Sequence, residues 1–142
     1  MLLLVALMGL GMAAVGPLWA QQTQREQEAE LLRVGGLYAA AIEAYRDGSP
    51  GLAKEYPARL EDLLDDRRFI GLTRHMRRLY PDPMMPSRPW GTVLDAAGRI
   101  RAVYSQGAER PLQRQTIELG MARLPVADHY SDWKFGPEEL RQ

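Results

Sequence analysis

The stretch that decides the fold is QQTQREQEAELLRVGGLYAAAIEAYRD, from Gln21 to Asp47. It contains no proline and is rich in Gln, Glu, Ala, Leu and Arg, which are good helix formers. The tetrapeptide Gly48-Ser49-Pro50-Gly51 that follows combines residues that end helices and form turns. The sequence therefore predicts a helix that continues without interruption to about Asp47.

The later part of this helix is amphipathic. Its apolar residues recur in steps of three and four and so share one face: Leu31, Val34, Tyr38, Ala41 and Tyr45. The charged residues fall on the other faces, where we expect solvated side chains: Glu26, Glu28, Glu30, Arg33, Glu43 and Arg46. We therefore predict an amphipathic helix over residues 25–47 whose apolar face packs against the rest of a folded head.

An apolar run, MLLLVALMGLGMAAVGPLWA, precedes this stretch from Met1 to Ala20. It has no ionisable side chain, the next four residues are uncharged, and about twenty helical residues span the hydrocarbon core of a bilayer. We predict that residues 1–24 form the transmembrane half of the helix and that residues 25–142 form a head outside the membrane. Two alternatives remain open: a secretory signal peptide cut after Ala20, and a helix buried in a soluble core.

Several residues that disfavour a straight helix lie inside the apolar run: Pro17, with Gly9, Gly11 and Gly16. Proline removes a backbone hydrogen bond, and small residues allow helices to approach closely. We expect these positions either to bend the helix and form packing contacts, or to reflect only the higher frequency of Gly and Pro in transmembrane helices.

Two local patterns organise the beginning of the head. Tyr56-Pro57, followed by Leu60, Leu63 and Leu64, predicts a short helix over residues 57–66. The proline-rich stretch from Tyr80 to Pro89 then predicts a connecting loop.

The rest of the head predicts a small antiparallel sheet within residues 90–135. Trp90–Leu94 and Ile100–Ser105 are β-prone and are separated by a turn-like tetrapeptide, which indicates a hairpin. We expect residues 106–128 to have mixed character with a short helix, and Tyr130–Phe135 to add an edge strand. The predicted fold class is α+β, with a long N-terminal helix packed on a small antiparallel sheet.

Composition excludes several classes of function. Lys+Arg and Asp+Glu number 18 each, so the net charge indicates no nucleic-acid partner. The chain has no cysteine, which excludes disulfides, thiolate metal sites and a cysteine nucleophile. His75 and His129 are expected at the surface, and Asp128 and Asp132 at turn and strand-end positions rather than as a catalytic pair. We therefore expect neither a cofactor nor an enzymatic activity.

A basic cluster spans residues 67–78 and consists of Arg67, Arg68, Arg74, Arg77 and Arg78 with His75. Clusters of this kind are usually solvated surfaces, but they also bind acidic partners. Both interpretations stay open at the level of the sequence.

Short elements in a defined order resemble those of type II secretion pseudopilins, which belong to the type IV pilin-like superfamily. Tyr56-Pro57 with the leucines that follow resembles the element after the family's long helix. Leu79-Tyr80-Pro81-Asp82-Pro83 and then Trp90-Gly91 resemble the element before the first strand, here split by an insertion. Val103–Ala108 and Tyr130–Trp133 resemble the family's later Ser-Tyr-Gly and Asp-Trp elements.

The chain also departs from this family in two places. The prepilin leader and the N-terminal glutamate are absent, and aligning Pro17 with the family's helix proline places Met1 a few residues beyond the peptidase site. We therefore expect the true start to lie upstream. The family's acidic calcium loop is not matched by Glu109–Arg114, which offers one carboxylate among two arginines, so we expect no calcium site there.

The resemblance implies a structural pseudopilin of a type II secretion or related pilus-like machine, single-pass in the bacterial inner membrane with a periplasmic C-terminal head. It implies assembly with copies or relatives by helix packing, and prepilin-peptidase processing and methylation if an upstream leader exists. The residues expected to serve packing are Pro17, Gly9, Gly11, Gly16, Leu31, Val34, Tyr38, Tyr45, Trp90 and Trp133. The alternative is a tethered or signal-peptide-released periplasmic binding module that uses the arginine-rich surface.

Overall fold

The computed structural model describes residues 2–138, apart from the side chains of residues 2, 3 and 7–15. The fold is α+β, with one long helix and small antiparallel sheets. Helix α1 (Leu2–Asp47) contains 46 residues and is therefore roughly 70 Å long. It continues through Pro17 and ends where the Gly48 N–H donates to the Ala44 carbonyl. The helix predicted to end near Asp47 is confirmed.

The second half of α1 is the spine of the head. Leu31, Val34, Tyr38 and Ile42 on its inner face are buried, each with at most 1% of its surface exposed. They belong to a single core that also contains Leu63, Val103, Leu124, Tyr130, Trp133 and Phe135. The amphipathic helix predicted over residues 25–47 is therefore confirmed, and its apolar face packs on the chain's own head.

The predicted hairpin is confirmed. Strands β1 (Gly91–Leu94) and β2 (Ile100–Tyr104) pair antiparallel, with an irregularity in register before Leu94. In the turn between them, the Asp95 carboxylate accepts hydrogen bonds from the N–H groups of Ala97 and Arg99. Gly98 takes a positive φ of 77°, which glycine adopts without steric cost.

The single sheet predicted within residues 90–135 is wrong, because the described residues contain two separate two-stranded sheets. The second consists of β3 (Ile117–Leu119) and β4 (Ala122–Leu124), in a region expected to include a short helix. Its two-residue turn begins with Gly120 at a φ of 57°, the conformation that tight hairpin turns require. Gly120-Met121 was the overlooked sequence signal.

The short helix predicted over residues 57–66 is reduced to a 3₁₀-helix at Leu60–Leu63. Its start is fixed by the Asp62 carboxylate, which accepts the Arg59 N–H at 3.0 Å. The chain cannot continue as a helix because the Asp66 N–H instead donates to Thr73 O at 2.8 Å.

The edge strand predicted over Tyr130–Phe135 is also wrong. Tyr130–Asp132 is a 3₁₀-helix, and Phe135 alone bridges to Val103. Tyr130 and Trp133 are both fully buried, with ring centroids 5.6 Å apart. Residues three apart lie on the same side of a 3₁₀-helix but on opposite faces of a strand, so burial of both rings in one core favours the helix.

The predicted transmembrane segment, residues 1–24, is described only in part. Gly9 and Gly11 lie within residues 7–15, a stretch whose side-chain surroundings are outside the described part of the structure. Among the residues that are described, no helix has both the length and the apolarity needed to cross a membrane.

Adjacent glycines in α1 offer a direct test of how the helix packs on the head. A Cβ added at Gly35 would overlap the ring of Phe135, which is fully buried, whereas a Cβ at Gly36 would meet open space. We expect Gly35→Ala to lower the free energy of unfolding by roughly 1–3 kcal/mol through overpacking. Gly36→Ala should raise it by up to about 1 kcal/mol through helix propensity. Urea unfolding of both variants checks this, and equal stabilities would contradict the packing described.

Candidate functional site

The first half of α1 exposes apolar side chains. All described side chains up to residue 23, at positions 4–6 and 16–23, are exposed, including Leu18 (68%) and Trp19 (74%). Pro17 lies within this exposed part, and a Cβ added at Gly16 would meet nothing within 4 Å. Leu18 and Trp19 are large enough to stabilise an assembly when buried, by about 1.5–3 kcal/mol for a side chain of this class.

The predicted packing residues in the second half of α1 contact the chain's own head. Leu31, Val34, Tyr38 and Tyr45 are buried there. The Tyr38 hydroxyl donates to Tyr80 O at 2.9 Å and accepts the Tyr80 N–H at 3.0 Å, which attaches the proline-rich loop to the helix. These side chains therefore position the head on α1.

The predicted tryptophans complete the same core. Trp90 lies with its ring centroid 5.2 Å from that of Tyr38, and its Nε1–H donates to Tyr80 O. Trp133 is fully buried and donates from Nε1 to Pro125 O at 3.0 Å. Both indoles therefore have their polar atom satisfied and their rings inside the head.

Glu28 was expected to be solvated, and this prediction is wrong. Only 5% of its surface is exposed, and its carboxylate joins α1 to the far end of the chain. Oε2 accepts the Tyr130 hydroxyl at 2.7 Å and the Leu112 N–H at 2.7 Å, while Oε1 accepts the Gln113 N–H at 3.2 Å. A carboxylate is the right group here because all three partners are donors.

The electrostatics of this junction favour a neutral Tyr130, whose hydroxyl keeps its proton and donates it to Glu28. Burial raises the pKa of Tyr130, and its hydrogen bond to Glu28 raises that pKa further. Gln24 also donates to the Tyr130 hydroxyl at 3.1 Å and to Arg110 O at 3.0 Å. The junction fixes the head to α1 at the point where the exposed part of the helix ends.

Replacing the Glu28 carboxylate at this junction should loosen the head. Glu28→Gln would direct an amide NH₂ at groups that are themselves donors, so we expect the free energy of unfolding to fall by about 1.5–3 kcal/mol. The matched control is Glu26→Gln, an exposed position on the same helix, which should change it by less than about 0.5 kcal/mol. Amide hydrogen exchange at Leu112 and Gln113 would report the local opening. Unchanged protection in Glu28→Gln would contradict the assignment.

A second buried carboxylate lies under the other end of the head. Asp66 is fully buried, and Arg68 pairs with both of its carboxylate oxygens, at 2.8 and 2.7 Å. Arg68 also donates to Tyr45 O and to the Ser49 hydroxyl, and its guanidinium lies 3.6 Å from the centroid of the Tyr45 ring. Arg68 therefore connects the end of α1 to the segment that follows the Leu60–Leu63 turn.

His75 belongs to this cluster, so its expected surface position is wrong. Its Nε2 lies 2.9 Å from Asp66 Oδ2, its side chain is 11% exposed, and its ring meets that of Tyr45 edge-on. The hydrogen bond to Arg68 is the main cause that lowers the pKa of Asp66 from 3.8 to about 2. The ionised carboxylate therefore stabilises the fold above pH 4, and this stabilisation is lost as the pH falls from about 4 to 2.

Acid unfolding should reveal this cluster. We expect Asp66→Asn to lower the free energy of unfolding at pH 7 by about 2 kcal/mol or more, and to flatten its dependence on pH between about 4 and 2. Asp65→Asn, at a half-exposed neighbouring position, should retain the wild-type profile. Urea unfolding at several pH values measures both. A wild-type acid profile in Asp66→Asn would rule out the role of this carboxylate.

The arginine cluster divides into two parts. Arg68 turns inward, as described above, while Arg67, Arg74, Arg77 and Arg78 are exposed. Arg78 covers the Tyr80 ring with its guanidinium 4.6 Å from the ring centroid, and Arg67 pairs with Asp65. Arg68 therefore stabilises the fold, whereas the other four arginines of the cluster are exposed.

The other titratable residues considered as site candidates do not lie together in one site. Asp128 pairs with Arg110 at the surface, whereas the Asp132 carboxylate accepts the His129 N–H. In the described part of the chain, no group of three or more His, Cys, Asp or Glu residues is placed to hold a metal ion. Comparison of the chain with protein-family models, curated proteins and solved structures found no match.

Proposed function

We propose that this chain is a structural, pilin-like subunit: a pseudopilin of a type II secretion or related pilus-like machine. The observation that carries the proposal is the division of α1. Its second half is the buried spine of the head, whereas the described side chains of its first half are exposed and include Leu4, Val5, Leu18 and Trp19. A helix of this kind holds a folded head at one end and offers an apolar rod at the other.

In this proposal the first half of α1 lies in the bacterial inner membrane and the head lies in the periplasm. Assembly with copies or relatives packs neighbouring rods against one another. An apolar side chain that leaves water contributes on the order of 1.5–3 kcal/mol, whereas one already in lipid gains only packing contacts. Exposed ion pairs between heads contribute at most about 1 kcal/mol each. Helix packing is then the main source of assembly energy, and the role is structural, without a cofactor or catalysis.

A second candidate function uses the exposed arginines. Arg67, Arg74 and Arg77 are exposed, and an acidic protein partner that bound them would make the head a tethered or released periplasmic binding module. Such a module would keep its function without the apolar rod. A filament subunit would not, so the two candidates separate on that one property.

A charge placed on the rod tests the proposal. We expect Leu18→Glu to remove the full chain from high-mass membrane complexes, because a carboxylate at an apolar helix contact must be desolvated. Gln21→Glu, three residues further along and exposed on a polar position, is the matched control and should assemble normally. Sedimentation of detergent extracts measures both. If Leu18→Glu assembles as well as the control, the apolar rod does not drive assembly.

A further inference from the structure

A cavity of about 440 Å³ lies between α1 and the segment at residues 112–113. We call it the junction cavity, because it opens where the exposed first half of the helix meets the head. It is lined from α1 by Gln21, Arg25, Glu28, Ala29 and Leu32, and from the facing segment by Leu112 and Gln113. The lining combines polar groups with apolar surface, which suits a ligand that has both characters.

The wall of the junction cavity that faces α1 is held in place by Glu28. The Glu28 carboxylate accepts the N–H groups of Leu112 at 2.7 Å and Gln113 at 3.2 Å. It also accepts the Tyr130 hydroxyl at 2.7 Å, and only 5% of the Glu28 surface is exposed. These bonds order the wall before a ligand arrives, and a preformed site lowers the entropic cost of binding.

Arg25 is the charged group of this cavity that lacks a partner. It is exposed, and among the described residues it makes no hydrogen bond or ion pair. The Glu28 carboxylate, in contrast, already accepts three hydrogen bonds. A guanidinium carries five N–H donors in a planar fork that matches the oxygens of a phosphate. Arg25 therefore offers the cavity an unfilled position for a phosphate group.

An apolar side chain lies below Arg25 on the same side of the helix. Leu18 precedes Arg25 by seven residues, so the two project within about 20° of each other around the helix axis. Leu18 is 68% exposed and lies about 10 Å further toward the N-terminus. A ligand whose phosphate contacts Arg25 can therefore place an apolar chain over Leu18.

The position of Arg25 relative to the apolar run matches the depth of a phospholipid headgroup. Arg25 follows Ala20, the last residue of that run, by five residues, or about 7.5 Å along the helix axis. Each headgroup layer of a bilayer is roughly 5–8 Å thick. Side chains of a helix tilt toward its N-terminus, so the guanidinium reaches back toward the apolar run. With that run in the hydrocarbon core, Arg25 and the lipid phosphates lie at the same level.

We propose that the junction cavity binds an acidic phospholipid, with the headgroup phosphate on Arg25, beside the amide of Gln113, and an acyl chain over Leu18. The inference rests on the proposed function, since it needs the first half of α1 in a bilayer. An acidic lipid is favoured over a choline lipid, because Glu28 already accepts three hydrogen bonds and offers little to a cationic headgroup. The bound lipid fixes the depth of α1 at the boundary between rod and head.

Native mass spectrometry of the full chain, released from detergent micelles after titration with didecanoyl phosphatidylglycerol, tests this site. The wild-type chain should retain one lipid, and Arg25→Gln should weaken its binding about tenfold or more, because a charge-assisted hydrogen-bonding group is lost. Arg74→Gln is the matched control, since Arg74 is also an exposed arginine without a hydrogen bond or ion pair among the described residues. It lies at the other end of the head and should bind as the wild type does. Didecanoyl phosphatidylcholine should bind the wild-type chain more weakly than phosphatidylglycerol.

Three results would overturn this inference, and they separate it from the proposed function. If inorganic phosphate at the same concentration displaces the lipid, the cavity is a site for free anions and the lipid assignment is wrong. If Arg25→Gln binds phosphatidylglycerol as tightly as Arg74→Gln, the site is wrong, while the proposed function stands as long as both variants enter high-mass membrane complexes. If the native chain lacks the residues before Gln21, both proposals fail.

Discussion

The packing of α1's inner face on the head is the constraint on which the rest of this structure depends. The helical part of the core comes mainly from Leu31, Val34, Tyr38 and Ile42. Without these side chains, the apolar face of the short strands would have little to cover it. Two-stranded hairpins are marginally stable alone, because three or more strands or a packed helix are needed to bury an apolar face. The helix therefore forms the rod, and the head also needs it in order to fold.

Two buried carboxylates fix the head along this helix, one toward each end. Glu28 binds the 112–113 backbone and Tyr130, and Asp66 gathers Arg68 and His75 beside Tyr45. Hydrogen bonds to a carboxylate are directional, so they add geometric specificity to the apolar contacts. The result is a head with a defined register on α1.

The sequence predicted the elements whose signals are local. The three-and-four spacing from Leu31 to Tyr45 identified the inner face of α1, and the turn before Gly98 identified the first hairpin. The Glu28 site was missed because its partners lie far along the chain. Glu28 accepts from residues 84 to 102 positions away, so its charge alone indicated solvent. The sequence did contain one signal for burial of Glu28. It lies one helical turn before Leu31 and therefore on the same side of α1. Arg68 and His75 look like members of a basic run until the fold brings Asp66 beneath them.

In the proposed function α1 remains one rod, with its apolar half attached to the head in the working protein. The most direct measurement is intact-mass and N-terminal mass spectrometry of the native protein, isolated from its own membranes. We expect a mature chain that retains the apolar residues through Ala20 and carries a methylated N-terminal amine. A mature chain that begins at Gln21 would contradict it, because the head would then act without the rod.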